Sequence, residues 1–371
     1  MSIPIRVGFI GLSTRGWAAS TLAPPILSVP LSSKYTLTAV STTNATSASA
    51  SAEKYTKETG RTVKPYHGDA ANIVGDDEVD LIVVAVKVPD HGKVARTAIE
   101  KGKDVFVEWP LGNGLQETLE LAEAAKRKGV RTLVGLQGWQ SPAVVKAREW
   151  VASGKIGRVL SATWVSAKLE EFTLWAPFTT QTDVYAADPS NVVVGHHLSA
   201  ITRILGPVES ISATSSKVFD SVQVVDAQSK PTGETLANRS PDQWAASGLL
   251  KNHPGALFSG TWRSGVSVSK ETDKDRPTLV FIIDGDKGFI KFESSSFGGS
   301  IINMFVPEKV YLNGEEVKVE DTVGTAHRNW EAYASGAEGE YATFDDAVDL
   351  YKHLDAISTS ASEGRVVSVG V

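Results

Sequence analysis

Ile5-Arg6-Val7-Gly8-Phe9-Ile10-Gly11-Leu12-Ser13-Thr14-Arg15-Gly16-Trp17 decides how the rest of the chain is read. The apolar run over residues 5–10 reads as a buried parallel strand, and the glycines after it mark a tight turn into a helix. In that setting a dinucleotide pyrophosphate rests on backbone N–H groups at a helix N-terminus. Gly11 and Gly16 take the first and third glycine positions of the fingerprint, and Ser13 stands at the second. There the backbone must come close to the phosphates, so the match is incomplete. A glycine turn after a strand also occurs in α/β proteins that bind no nucleotide.

Trp17 to Leu27 is broken by Pro24 and Pro25, which predicts a short or irregular first helix. Tyr35 to Val40 alternates and reads as the second strand. It ends in Ser41-Thr42-Thr43-Asn44, where a strand suited to NAD presents an acidic residue to the ribose 2′-hydroxyl. Ser41 and Thr43 instead leave room for a 2′-phosphate that Arg15 can pair with. This leans toward NADP with NAD still open; a polar loop with a solvated arginine is the alternative.

A helix over Ala45–Glu58 precedes the apolar run Val79–Val86, a central strand with Lys87-Val88-Pro89-Asp90-His91 at its carboxyl end. A helix from His91 to Lys101, a strand Asp104–Glu108 closing on Trp109-Pro110, a helix Leu115–Lys128 and a strand Arg131–Gln137 follow. Strands alternating with amphipathic helices predict a doubly wound parallel sheet over residues 1–138, an α/β Rossmann-type domain.

The pattern then changes. A helix from Ser141 to Gly154 has Pro142 near its start and glycine at its end. Beyond it come β-branched runs: Val159–Ser166, Val208–Ser215, Ser221–Val225, Trp244–Leu250, Ala256–Trp262, Thr278–Asp284 and Gly288–Glu293. Helices are expected at Val192–Leu205 and Phe344–Ser362, a hairpin turn at Asp284–Gly288 and an exposed loop at Ser267–Arg276. Residues 139–371 therefore read as a second α/β domain with a large, mainly antiparallel sheet.

A chain of 371 residues fits two domains, and 42% hydrophobic residues can supply their cores. The formal net charge of −6 argues against direct nucleic-acid binding, which needs a basic surface. With no cysteine, disulfides, thiolate metal sites and a cysteine nucleophile are excluded. No apolar run reaches membrane-spanning length, and residue 5 already enters a strand where a signal peptide would have its apolar region. A soluble cytoplasmic protein is expected.

Several stretches are similar to the glucose–fructose oxidoreductase and inositol dehydrogenase (Gfo/Idh/MocA) family. Val107-Glu108-Trp109-Pro110-Leu111 resembles its Glu-Lys-Pro motif. Ser141-Pro142-Ala143 through Gly154-Lys155-Ile156-Gly157 resembles its domain-crossing helix, Gly195-His196 its catalytic histidine segment, and Phe344-Asp345-Asp346-Ala347 the start of its C-terminal helix. The departures matter as much. Trp109 stands where the family has its catalytic lysine, Val192 where it has an aspartate one turn before the histidine, and Ser199 one turn after. One branch, typified by the yeast galactose-pathway repressor, shares these changes; it resembles this chain at Gly8–Leu12, Gly16-Trp17-Ala18, Phe106–Trp109 and Leu136-Gln137-Gly138.

The resemblance implies an NAD(P)-dependent oxidoreductase acting on a sugar, polyol or secondary-metabolite carbonyl or alcohol, with a homodimer made through the open sheet face. The alternative it leaves is a non-catalytic dinucleotide-binding regulator that docks a protein partner. It places the dinucleotide on Gly11, Ser13, Thr14, Arg15, Gly16, Trp17, Ser41, Thr43, Val86, Lys87, Pro89, His91, Glu108, Trp109 and Gln137. Glu108 is expected to accept from the nicotinamide ribose, or else to cap the turn after its strand. His196 is the expected proton carrier or hydroxyl partner, or a structural histidine; its neighbour His197 points elsewhere. The pair has no acidic partner at metal-ligand spacing, so no metal is expected. Lys87, at the carboxyl end of a central strand, can take over the proton role that Trp109 cannot fill, or reach solvent. Trp109, Trp175, Tyr185 and His196 are candidates to touch substrate. The resemblance makes the loop from Glu170-Glu171-Phe172 through Trp175 and Tyr185 a pocket wall, with oligomer contacts the equal alternative for its aromatics; Asp183 and Asp188 read as solvated.

Overall fold

The computed structural model describes residues 3–169, 173–175, 189–226, 230–266, 277–295, 307, 309–336 and 340–371. The chain divides into two units, Met1–Gln137 with Val323–Val348, and Gly138–Thr322 with Asp349–Val371. Helix α9 below contains the second division.

The first unit is built on six strands: β1 (Ile5–Ile10), β2 (Tyr35–Thr42), β3 (Lys64–His67), β4 (Leu81–Val84), β5 (Asp104–Glu108) and β6 (Thr132–Gly135). All pairs are parallel and the order is β3-β2-β1-β4-β5-β6, the doubly wound arrangement that the alternation predicts. Its helices are α1 (Ala23–Leu27), α2 (Ala45–Thr59), α3 (Ala71–Val74), α4 (His91–Glu100) and α5 (Leu115–Lys128); α6 (Pro142–Ala152), α7 (Pro189–Leu205), α8 (Thr325–Ser335) and α9 (Phe344–Glu363) follow.

Local chemistry sets the boundaries. Asn44 caps α2, its Oδ1 accepting the Ser47 N–H at 2.9 Å, and Gly60 ends it at φ 67°. Lys126, Arg127 and Lys128 sit in the last turn of α5, where cations suit the helix dipole. Pro24 and Pro25 leave only a five-residue π-helical turn, Ala18–Leu22, followed by α1. The strand expected over Val79–Val86 is confined to Leu81–Val84; before it, Asp80 holds the Arg6 side chain and the Val79 carbonyl accepts from Lys103 Nζ at 2.7 Å.

Residues Val323–Val348, read from sequence with the second domain, belong to the first unit. Trp330 of α8 lies against Tyr35 and Phe106, with ring centroids 5.1 Å away in both cases and edge-on geometry. Tyr35 donates its hydroxyl to the Trp330 carbonyl at 2.6 Å, and Tyr333 donates to Asp104 Oδ2 at 2.9 Å. The far edge of the sheet is held as well: the Val134 N–H reaches the Ala342 carbonyl at 2.8 Å.

The second unit carries β7 (Val159–Leu169), β8 (Thr173–Trp175), β9 (Val208–Ser216), β10 (Ser221–Val225), β11 (Pro231–Ala237), β12 (Gln243–Leu250), β13 (Leu257–Val266), β14 (Leu279–Gly285), β15 (Gly288–Ser294), β16 (Lys309–Leu312), β17 (Glu315–Glu316) and β18 (Val367–Ser368). Nine form one sheet in the order β17-β16-β15-β14-β7-β13-β12-β9-β18; only β7 and β13 pair in parallel. β11, β10 and β8 form a small second sheet. The expected hairpin turn is present, with β14 ending at Gly285 and β15 beginning at Gly288. One face of the large sheet buries Trp164, Phe281 and Phe292; the other lays Thr163, Val165, Thr214, Ala245, Ser259 and Thr261 along a shallow groove. The loop expected at Ser267–Arg276 lies outside the described residues. Among those described, no helix is long and apolar enough to cross a membrane.

Candidate functional site

The glycine turn explains its own composition. Gly11 has φ +101°, and a Cβ there would stand 2.3 Å from the Ala85 carbonyl oxygen, so glycine is required on both counts. Its N–H donates to the Ser41 carbonyl at 2.8 Å, fastening the turn to the end of β2. The next three carbonyls are all taken by α2. Ser51 Oγ donates to Leu12 O at 2.7 Å, the Tyr55 hydroxyl to Ser13 O at 3.3 Å and Lys54 Nζ to Thr14 O at 3.1 Å.

In a trans peptide the N–H points opposite to the C=O. Pinning those carbonyls to α2 therefore turns the N–H groups of Ser13, Thr14 and Arg15 the other way; Arg15 N–H makes only a long contact, 3.4 Å, with Ser13 Oγ. Successive amides aimed to one side of a glycine turn are an anion cradle. Ser13 fits the second-glycine position because its hydroxyl folds back to donate to the Arg15 carbonyl. Thr14, Arg15 and Trp17 are exposed around this cradle. Ser51, Lys54 and Tyr55, which hold it, carry no motif of their own; the sequence signal for them is a spacing that puts all three on one face of α2.

At the end of β2, Ser41 is buried, so its contribution is the carbonyl under Gly11, while the Thr43 side chain is exposed. Thr42 Oγ1 and Ser47 Oγ lie 2.6 Å apart. No carboxylate stands on Ser41-Thr42-Thr43-Asn44.

The ends of β4, β5 and β6 carry the second group of candidates. The Glu108 carboxylate accepts the Trp17 indole N–H at 2.9 Å and the Gln137 amide at 2.9 and 3.1 Å on its two oxygens. Gly135 makes room for it: a Cβ there would fall 2.5 Å from Glu108 Oε1. Burial pushes the Glu108 carboxyl up to about 7, opposed by its hydrogen bonds from Gln137 and Trp17. Gln137 is fully buried, and its Oε1 has no hydrogen-bond partner.

His91, expected at the dinucleotide, is committed inward. It is buried, with Nδ1 at 2.6 Å from the Pro110 carbonyl and Nε2 at 3.1 Å from that of Val86. A neutral ring donates to only one of them, and burial holds its pKa below the usual histidine range. Its role is to tie the turn after β4 to the turn after β5. Lys87 is exposed, Val86 and Pro89 half-buried, and Trp109 buried.

In the second unit α7 presents His196, also buried. Burial and the neighbouring His197 lower its pKa to about 3, so the ring is neutral at physiological pH and offers one donor and one acceptor. Ser199 Oγ donates to the His196 carbonyl at 2.7 Å, and Trp139 Nε1 to the Ser199 carbonyl at 3.1 Å, with the Arg203 guanidinium 4.4 Å above the Trp139 ring. His197 packs against Trp164 with centroids 4.6 Å apart. Tyr185, Glu170, Glu171, Phe172, Asp183 and Asp188 lie outside the described residues, as does the side chain of Trp175. Among the described residues no cluster of His, Asp or Glu can hold a metal ion.

Comparison with known proteins divides the chain in the same order. Residues 5–136 match the model of an oxidoreductase family with an NAD-binding Rossmann fold, and residues 142–294 match the C-terminal domain of Gal80p. Dehydrogenase aclE of Aspergillus oryzae is 30% identical over 386 aligned residues, covering 99% of both chains. The galactose/lactose metabolism regulatory protein GAL80 of Saccharomyces cerevisiae is 27% identical, covering 81% of this chain and 69% of its own. A crystal structure of a super-repressor mutant of Gal80p from the same yeast has a TM-score of 0.83 at 21% identity over 99% of this chain and 98% of its own, a likeness of fold.

Proposed function

The chain belongs to the Gfo/Idh/MocA family of oxidoreductases, and from that premise we propose that it is a cytoplasmic NAD(P)-dependent oxidoreductase acting on a carbonyl or alcohol of a sugar, polyol or secondary metabolite. The observation that carries the reading is the cradle after β1: three carbonyls held by Ser51, Tyr55 and Lys54, and a glycine whose Cβ would strike Ala85. These residues fit a pyrophosphate. A bound nicotinamide supplies the hydride. The chain's own part is to hold the phosphates on the amides of Ser13 to Arg15 and to offer the ribose the oxygens of Glu108. His196, neutral and buried, is suited to orienting a substrate hydroxyl rather than standing as a cation. Lys87, exposed at the end of β4, is the first unit's candidate for the proton. Arg15 and Thr43, with no acidic side chain at the end of β2, favour NADP over NAD.

Titration with NADPH and then NADH, following energy transfer from tryptophan to reduced nicotinamide, tests the reading. Tight NADPH binding with weaker NADH supports it; no binding of either overturns it.

A second reading rests on Trp109 at the position of the family lysine and on the likeness of residues 142–294 to the Gal80p C-terminal domain. The chain is then a nucleotide-binding regulator that docks a protein, and binds NADPH without turning over any carbonyl offered with it. In either case the small-residue face of the large sheet is proposed as the surface of a homodimer, which sedimentation equilibrium tests.

A further inference from the structure

The carboxyl of Glu108 is built into the end of β5 with more care than a ribose contact requires. Three hydrogen bonds converge on it from Trp17 and Gln137, residues 91 and 29 positions away, and Gly135 is kept bare to admit it. The elements around it are the turn after β1, β4, β6 and α4. Among the described residues their ionisable side chains at that end are Arg15, Lys87, Asp90 and His91, and neither a hydrogen bond nor an ion pair joins any of these to the Glu108 oxygens. Both of its hydrogen-bond partners among the described residues are uncharged.

Gln137 suits either state of such a group. As placed, its amide nitrogen donates to the ionised carboxylate, while its buried Oε1 has no partner. Turned over, the same amide accepts from a protonated carboxyl. In a doubly wound sheet of this order the half made by β4–β6 receives the second mononucleotide, here the nicotinamide half. That ring is cationic when oxidised and neutral when reduced.

We propose that Glu108 is the charge sensor of the nicotinamide site, forced to ionise beside the oxidised ring and free to keep its proton beside the reduced one, so that the choice between NAD+ and NADH depends on pH. The proposal rests on the dinucleotide-binding reading above. Desolvation holds the free carboxyl up to about 7, and an opposite charge in the same surroundings favours ionisation. Below that value NAD+ must therefore expel a proton to bind, and its affinity falls with pH. NADH expels none.

Isothermal titration calorimetry with NAD+ and with NADH in buffers of different ionisation enthalpy tests this. The unphosphorylated pair is used because a 2′-phosphate itself titrates near pH 6. Between about pH 8 and about pH 6 the wild-type affinity for NAD+ is expected to fall about tenfold, with up to one proton released per nucleotide, while that for NADH changes less than about twofold. Glu108→Gln is expected to abolish the slope and the proton release, leaving a weaker affinity for both nucleotides that no longer changes with pH. If Glu108→Gln does not fold, Gln137→Met serves instead: loss of the amide donor moves the midpoint of the NAD+ profile to higher pH. Wild-type binding of both nucleotides with no difference in slope, or a slope that survives Glu108→Gln, overturns the proposal alone. Failure of the wild type to bind either nucleotide at any pH overturns the dinucleotide reading beneath it.

Discussion

Trp330 donates its indole N–H to the carbonyl of Leu22 at 3.0 Å, across 308 positions of sequence. The same ring meets Phe9, Tyr35 and Phe106, so one side chain from near the end of the chain closes the core beside β1, β2 and β5. Trp330→Ala is expected to cost about 3–5 kcal/mol, the range for emptying a buried aromatic site. Thermal and urea unfolding measure it, and a loss under 1 kcal/mol would show that the ring is peripheral to stability.

A fragment of residues 1–138 contains the whole parallel sheet but not α8. It is expected to lack sharp near-ultraviolet dichroism and to unfold without a cooperative transition, because Tyr35 and Phe106 lose their packing partner. Adding residues 323–348 through a flexible linker should restore the transition.

Gly11→Ala places a methyl group 2.3 Å from a backbone oxygen at φ +101°, whereas Gly16→Ala at the same φ meets open space. The first is expected to cost about 3 kcal/mol or more and to abolish NADPH binding; the second costs about 1–2 kcal/mol of backbone strain. Paired melting curves and NADPH titrations separate steric from conformational cost.

Glu108 also leaves a mark on stability. Its folded pKa, about 7, lies above the ordinary glutamate value, so between about pH 4.5 and 7 the folded chain holds a proton that the unfolded chain has lost. Stability from this group falls as pH rises through that window. Glu108→Gln is expected to be neutral near pH 4 and stabilising by about 1–3 kcal/mol near pH 8. His196 works in the opposite sense. Its pKa, lowered to about 3, means that the unfolded chain takes up a proton below about 6.5 that the folded chain refuses. His196→Asn should therefore soften the loss of stability on acidification, as melting temperatures from pH 8 to pH 5 would show.

Arg15→Ala tests nucleotide choice. Removal of a charge-assisted contact to a 2′-phosphate is expected to weaken NADPH about tenfold or more and leave NADH within about twofold. Equal effects on both would assign Arg15 to the turn alone.

The first sheet is legible in sequence because its signals are local. The apolar Leu81–Val84, the glycine turn and the helix over Leu115–Lys128 need no distant partner to be recognised. Helix α8 passes unread amid polar neighbours, although Ala326, Trp330 and Tyr333 are spaced to share one buried face. The exposed, polar β11 carries almost no apolar alternation, and β10 supplies the pairing that makes it a strand. In the site, Gly11 is readable as a glycine position. That Trp17 and Gln137 converge on Glu108 depends on contacts over 91 and 29 residues, which no local pattern encodes. His91 is the reverse case: its place after a strand suggests a ligand, and burial gives both ring nitrogens to backbone.

The division of the first unit between residues 1–137 and 323–348 has a temporal side. A ribosome delivers the glycine turn and all six parallel strands early, then must add the second unit before Trp330 emerges. At about 5–20 residues per second that interval is about 10–40 s. Through it the first six strands wait with the flank of Phe9, Tyr35 and Phe106 uncovered, until the chain's own tryptophan arrives to close it.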